Sequence, residues 1–331
     1  MYTLIDYIKY YKDKDIEEIK WNIMDNLICA ILVYLKITPF KDCKYVSDLE
    51  VLPYAEGMMA PSSLEVFNLI KGSRRYNDLK VSNFQLIKDE HTQFGAVTFE
   101  IGGLKIVSFK GTDGSLIGWI ENIRIGYEYP TYTQMLAINY LKNVRGKDIY
   151  VVGHSKGGNL ALVSSMENFD KVKWVYNFDG PGLLGEQFKS DKFRKISSKL
   201  TNVVPTGSVV GTILHNSEYM VVKSSNIAFD EHYPTSWNIF GQFFVEDSLS
   251  RVSQKLHLSS SSGIDSLDPI KTKETFETIF ASLGKDYTGP FNMNFNDFIN
   301  FYKNMKNIDP NVRKYLDTIT SSLMAALYKI N

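Results

Sequence analysis

Residues 153–157 read Gly-His-Ser-Lys-Gly, a G-x-S-x-G pentapeptide between two stretches of opposite character. Before it, Asp148-Ile149-Tyr150-Val151-Val152 is short, apolar and β-rich, the pattern of a buried parallel strand. After it, Gly158-Asn159-Leu160-Ala161-Leu162-Val163-Ser164-Ser165-Met166 reads as a helix. A strand that turns sharply into a helix at a serine predicts a strained bend with that serine at its apex, a nucleophile elbow. Gly153 and Gly157 supply the clearance, because a Cβ at either place would meet neighbouring backbone. The Ser155 hydroxyl would then stand clear at the carboxyl end of the sheet. The N–H of Lys156 would lie at a helix N-terminus, where an oxyanion is stabilised.

Such a bend needs a sheet around it. Strand-like runs are predicted over Asn83–Lys88, Phe94–Ile101, Leu104–Lys110, Ile149–Val152, Lys173–Phe178, Leu200–Val204 and Tyr219–Ser224. Gly102-Gly103 predicts a hairpin turn between the second and third. Helices are predicted over Asp25–Leu35, which is apolar enough to be buried, and over Tyr132–Asn143 and Lys189–Lys199. Ser62-Ser63-Leu64-Glu65 carries a capping-box pattern for a short helix ending near Gly72, and residues 1–20 suggest a peripheral helix. Strands alternating with helices predict an α/β fold with a mainly parallel sheet covered on both faces. We divide the chain into 1–245, the α/β domain with its N-terminal helices, and 246–331, a helical appendage. A polar linker is expected at Ser259–Gly263, and helices over Lys271–Leu283, Phe295–Met305 and Val312–Ile330.

Charge narrows the partners. Lys+Arg and Asp+Glu each total 37, so a nucleic acid gains no global electrostatic attraction. The two cysteines, Cys29 and Cys43, make no disulfide framework and are expected as reduced thiols. With no signal-peptide pattern and no long uncharged apolar run, a cytoplasmic protein without a transmembrane segment is expected. No metal-ligand spacing occurs, and no cofactor or metal is expected. Transient contact with a membrane surface stays open.

A serine nucleophile needs a base, and the chain has five histidines: His91, His154, His215, His232 and His257. His154 adjoins Ser155, so its side chain should point away. His232 follows the last strand, which fits the chain order serine, acid, histidine; His215 is the alternative. Asp179, at the end of the Lys173–Phe178 strand and before Gly180-Pro181-Gly182, is the candidate acid, with Asp230 as its rival. Asp179 is equally suited to be a turn former. Phe109-Lys110-Gly111-Thr112 ends an early strand where Thr112 could add a second N–H to the oxyanion hole beside Lys156. Leu116, Ile117 and Trp119 form an apolar, glycine-hinged stretch suited either to a lid over a cleft or to a core-packing helix. The Lys156 ammonium either attracts an anionic substrate group or is ion-paired or solvated, leaving only its backbone to matter.

Four blocks together carry a resemblance: Phe109-Lys110-Gly111-Thr112, Gly118-Trp119, Val151 through Gly158, and Asn177 through Gly182. The chain resembles the class 3 (fungal-type) lipases of the α/β-hydrolase superfamily. With Gly-His-Ser-Lys-Gly-Gly-Asn-Leu-Ala, Ser208-Val209-Val210-Gly211 and His232…Trp237, it is most similar to a bacterial lipase-like family of undetermined function. The resemblance spans about residues 20–245. It implies an α/β-hydrolase fold, Ser155 as nucleophile, Thr112 and Lys156 as oxyanion hole, and His232 as base. Two departures stand out. Class 3 lipases carry their acid in the loop after the strand matching Leu200–Val204, where this chain has Ser208. Lys110 also stands where they usually have Arg. Either Asp179 serves from the neighbouring strand, or the site is a Ser–His dyad, slower by about 10⁴ by analogy with a serine protease. The expected activity is hydrolysis of an acyl ester or thioester, lipase- or esterase-like, on a small-molecule or lipid-like substrate. A peptidase or amidase on the same scaffold, and a non-catalytic hydrolase-fold binding protein, are the rivals.

Overall fold

A computed structural model describes residues 1–39, 42, 44–52, 59–89, 92–281, 309–314 and 317. The N-terminal layer comprises α1 (Leu4–Tyr11), α2 (Ile23–Leu32), the short β1 (Lys44–Tyr45) and α3 (Ala60–Ile70). Next come β2 (Lys80–Lys88), β3 (Gln93–Ile101), β4 (Leu104–Phe109), α4 (Leu116–Arg124) and α5 (Tyr132–Asn143). The alternating half holds β5 (Ile149–His154), α6 (Lys156–Glu167), β6 (Val172–Phe178), α7 (Gly185–Phe188), α8 (Asp191–Ser197), β7 (Leu200–Pro205) and β8 (Tyr219–Val222). A hairpin of β9 (Ile239–Phe240) and β10 (Phe243–Phe244) precedes α9 (Arg251–Ile264) and α10 (Pro269–Ala281).

β1 to β8 form one sheet in strict sequence order, antiparallel up to β4 and parallel from β4 to β8. Gly102 and Gly103 both have positive φ, 54° and 80°, as the tight turn between β3 and β4 requires. The period of two along the strands divides the core. Ile106, Val152, Phe178 and Val203 face the cluster built on α2. Val107, Phe109, Val151 and Val175 face the cluster that holds residues of α5, α6 and α8. With helices on both faces and the strand–bend–helix at Ser155, this is an α/β-hydrolase fold.

Nine of the ten α2 residues are buried, Asp25 among them. That carboxylate is satisfied by Arg75 Nε at 2.8 Å, Arg75 Nη2 at 2.6 Å and the Tyr76 hydroxyl at 2.7 Å. Several expectations are corrected. The helix expected over residues 1–20 is only α1, Leu4–Tyr11, with Leu4, Tyr7 and Ile8 buried in the core and Tyr10 exposed. α3 starts at Ala60 with Pro61 in its first turn, so the predicted capping box lies inside the helix, where Ser63 Oγ donates to the Ala60 carbonyl. Ser259–Gly263 is no linker. It belongs to α9, and the buried Ser260 hydroxyl accepts from Leu214 N–H at 3.0 Å. Serines packed against the core can satisfy their hydroxyls on backbone, which composition alone does not reveal. α9 and α10 lie against the loop after β7 and the turn after α4, with Phe276 stacked on Tyr127 at 5.5 Å. Cys43, His91, the expected helix Phe295–Met305, the end of Lys271–Leu283 and most of Val312–Ile330 lie outside the described residues.

Candidate active site

β5 delivers Ser155 to the bend with φ 58° and ψ −135°, a left-handed conformation costly for a residue with a Cβ. The bend exists because three backbones pass within contact of one another. A Cβ on Gly153 would lie 2.1 Å from the Gly157 carbonyl oxygen, and one on Gly157 would lie 2.1 Å from that of Phe109. Ser155 N–H is paired with the Phe178 carbonyl at 3.0 Å, and the serine keeps 9% of its surface exposed. Its hydroxyl forms no hydrogen bond to a described residue.

The imidazole comes from beyond the last strand of the sheet. His232 closes a short 3-10 turn, Ala228–His232, and its Nδ1–H donates to Asp179 Oδ2 at 2.6 Å. Asp179 is fully buried at the end of β6, with φ 49°. Ser208 Oγ and Gly211 N–H both donate to its other oxygen, at 2.5 and 3.0 Å. The serine standing in the slot where an acid was expected therefore donates to the candidate acid at the end of the neighbouring strand. The carboxylate of Asp230, the rival acid, forms no hydrogen bond or ion pair with His232 among the described residues, whereas the Asp230 carbonyl accepts from Tyr233 N–H and Asn226 Nδ2. The alternative base, His215, sits elsewhere, with Nε2 on Asp265 at 3.1 Å and its ring against Phe188. His257 packs on Tyr219, with Nδ1 near the Thr212 carbonyl at 3.1 Å.

The turn that carries His232 is tied from several sides. Trp237 Nε1–H donates to the Glu231 carbonyl at 2.7 Å, and the Glu231 carboxylate accepts from Gly207 N–H at 2.8 Å. His154 Nε2–H donates to the His232 carbonyl at 2.8 Å, and the two rings lie 4.5 Å apart. A carbonyl can only accept, so the His154 proton sits on Nε2 and Nδ1 faces the Tyr34 hydroxyl at 3.3 Å. Burial, reinforced by the neighbouring His232 ring, pushes His154 well below the ordinary imidazole range, so this ring is neutral. The elbow histidine points away from Oγ, as expected, and braces the candidate base. Sequence reasoning missed that role, and it missed Tyr34 from the end of the α2 segment.

Thr112 and Lys156 both come to the bend. A Cβ on Gly111 would lie 3.1 Å from Ser155 Cβ, so the Gly111–Thr112 peptide passes directly beside the nucleophile candidate. Neither Thr112 N–H nor Lys156 N–H has an acceptor among the described residues. The Lys156 ammonium is not available to a substrate. It is fully buried and donates to Glu121 Oε2 at 2.5 Å and to the Gln93 carbonyl and side-chain oxygens at 2.7 Å each. Burial lowers the Lys156 ammonium and raises the Glu121 carboxyl, and each partner's charge opposes the shift. One signal was readable. A cation in the first turn of a helix opposes the macrodipole and therefore asks for a buried counter-charge. The stretch left open between a lid and a core-packing helix is the helix α4, and its Ile117 is half-buried. The side chains of Leu116 and Trp119 lie outside the described residues. Thr112 Oγ1 donates to Asn122 Oδ1 of α4 at 3.0 Å.

Among the described residues no cluster of metal-ligating side chains occurs, and no helix is long and apolar enough to cross a membrane. A search of curated proteins finds none that matches the chain. Three solved structures show what it is similar to. Lip2 lipase from Yarrowia lipolytica is 14% identical at a TM-score of 0.39, covering 72% of this chain and 90% of that one. M37 lipase is 13% identical at 0.38, covering 56% and 68%. The Rhizomucor miehei lipase propeptide complex is 15% identical at 0.33; the match takes in 44% of this chain and 57% of that chain's length. A family profile described as Mbeg1-like matches residues 70–281, well over half of the sequence and inclusive of the bend, Asp179 and His232. The chain belongs to the Mbeg1-like family.

Proposed function

We propose that the protein is a serine hydrolase that cleaves a carboxylic ester or thioester through an acyl-enzyme on Ser155. The observation that carries this reading is the His232–Asp179 bond at 2.6 Å, with Asp179 following directly on Phe178, whose carbonyl takes the N–H of Ser155 on its strained bend; the Ser155 hydroxyl forms no hydrogen bond among the described residues. Because Asp179 accepts the Nδ1 proton, the imidazole lone pair lies on Nε2. Ser155 Oγ attacks the acyl carbonyl carbon and its proton passes to that nitrogen. The negative oxygen so formed faces the N–H groups of Thr112 and Lys156. Collapse breaks the carbon–oxygen or carbon–sulfur bond, and the leaving alcohol or thiol takes the proton from His232. Water then attacks the acyl-enzyme, giving a proton to Nε2. A second collapse frees the carboxylic acid and restores Ser155, which takes the proton back. Among the described residues Ser155 Oγ forms no hydrogen bond; contacts between a nucleophile and its base commonly tighten only once substrate is bound.

A lipid-like acyl ester suits the apolar character of α4. A cytosolic location belongs to the same reading and is supported by the free, buried Cys29 thiol; cell fractionation tests it. Ser208 in the acid's slot was the observation that favoured a non-catalytic protein, and it loses that force once its hydroxyl is seen donating to Asp179.

A fluorophosphonate probe should label the protein, and p-nitrophenyl esters should turn over faster than the matching anilides. Ser155→Ala should abolish both labelling and turnover. His232→Ala should lower kcat by about 10⁶ and Asp179→Asn by about 10⁴. Labelling that survives Ser155→Ala would place the nucleophile elsewhere, and faster anilide cleavage would make the protein an amidase.

A further inference from the structure

We propose that Gln93 is a positioning residue that aims one of the two oxyanion-stabilising amides, and that the buried Lys156–Glu121 pair exists to hold Gln93. This rests on the hydrolase reading above and extends it to residues outside the triad.

The Gly111–Thr112 peptide passes beside Ser155, and its N–H belongs to Thr112. In a trans peptide the carbonyl and the N–H point in opposite directions, so whatever pins the carbonyl also aims the N–H. The Gly111 carbonyl accepts from Gln93 Nε2 at 3.2 Å. A side-chain amide rotated by half a turn would present its oxygen there instead and repel that carbonyl. What prevents the rotation is Lys156, whose ammonium donates to Gln93 Oε1 at 2.7 Å and so leaves Nε2 to face Gly111. The same ammonium also donates to the Gln93 main-chain carbonyl at 2.7 Å, which anchors the start of β3. Its third partner, Glu121 on α4, neutralises a charge that has no exposure to solvent. Lys156 thus acts twice. Its backbone N–H is one oxyanion donor, and its side chain orients the amide that orients the other.

Packing around the brace is tight. Gln93 is 1% exposed. A Cβ on Gly118 would come within 2.8 Å of Thr112 Cγ2 and 3.2 Å of Gln93 Oε1, so α4 touches the network through a glycine. Thr112 is held at its other end by Asn122, again from α4. Both residues expected to donate to the oxyanion are therefore fastened to α4. Gly118, in the glycine-hinged stretch, provides close approach, and of the two readings of that stretch, lid or core-packing helix, α4 serves as a packed wall of the hole.

Gln93→Glu is the test. A carboxylate keeps an acceptor for Lys156 but has no hydrogen to offer the Gly111 carbonyl. Two quantities are read at a temperature where circular dichroism shows the protein folded. One is the kcat and KM for p-nitrophenyl butyrate; the other is inhibition by 1,1,1-trifluoro-2-octanone, whose serine adduct places an oxyanion in the hole. We expect kcat to fall about 10²–10³-fold with KM nearly unchanged, and the ketone to weaken by a similar factor. Should Gln93→Glu fail to fold, Gln93→Met removes the amide at similar volume and the same losses are expected. Wild-type kcat and ketone inhibition in either folded variant, even with a lowered melting temperature, would reduce Gln93 to a packing residue and overturn the proposal. Wild-type protein that neither turns over the ester nor reacts at Ser155 overturns the hydrolase reading and this proposal with it.

Discussion

At Ser155 the backbone does the work that a side chain cannot. A left-handed φ on a serine persists only because Gly153, Gly157 and the Phe109 carbonyl leave it no other course. His154, its neighbour, supplies a second consequence that can be measured. Burial is the largest influence on it, the His232 ring adds to that, and the bond to the His232 carbonyl opposes both, with the result well below the ordinary value of 6.5. Below about pH 6.5 the unfolded chain therefore binds a proton at this histidine that the folded chain refuses. The stabilisation is fully present above that pH and is lost as pH falls through it, by at most about 1.4 kcal/mol per pH unit. Urea melts between about pH 8 and pH 5 should show this slope in the wild type and a flatter one in His154→Gln, which can still donate to the His232 carbonyl. Parallel profiles for the two proteins would show that His154 charges as freely in the fold as outside it.

At the level of elements, the strands and the elbow were legible because their signals are local. Tyr132–Asn143 is α5 to the residue, and the predicted strands are found within a few residues of their expected ends. The bend needed only five residues and the period of what flanked them. The candidate acid was half-legible. Asp179 at a strand end was visible, but its partnership with Ser208 joins two loops 29 residues apart and has no local trace. Gln93, one residue before the expected start of its strand, carried no signal at all. Ser259–Gly263 misled because serine and glycine indicate a loop in isolation, whereas a helix docked on the core can give their hydroxyls backbone partners. The elbow's glycines make the sharpest prediction at this scale. Gly157→Ala improves helix propensity by roughly 1 kcal/mol yet sets a methyl 2.1 Å from the Phe109 carbonyl oxygen. It should cost at least about 3 kcal/mol in a urea melt, or prevent folding. A variant as stable as wild type would mean that the close approach at the elbow is not tight.

On the scale of the whole molecule, α9 acts as a strut for the site without entering it. Its Ser253 and Ser260 bond the backbone of Thr206 and Leu214, at the two ends of the loop that presents Ser208 and Gly211 to Asp179. The sheet beneath is laid down in the order of synthesis, β1 through β8, so every new strand adds beside the one made just before it. On a ribosome, such an edge grows in one direction and never has to open for a late arrival. Ser155 and both amides of its cradle emerge early, the carboxylate somewhat later, and the imidazole only after the last parallel strand. A nascent chain arrested with residues 1–225 outside the exit tunnel should therefore ignore a fluorophosphonate, and one released at full length should react. On the proposed reading, the protein would spend its birth with the nucleophile's oxygen already built and not yet armed.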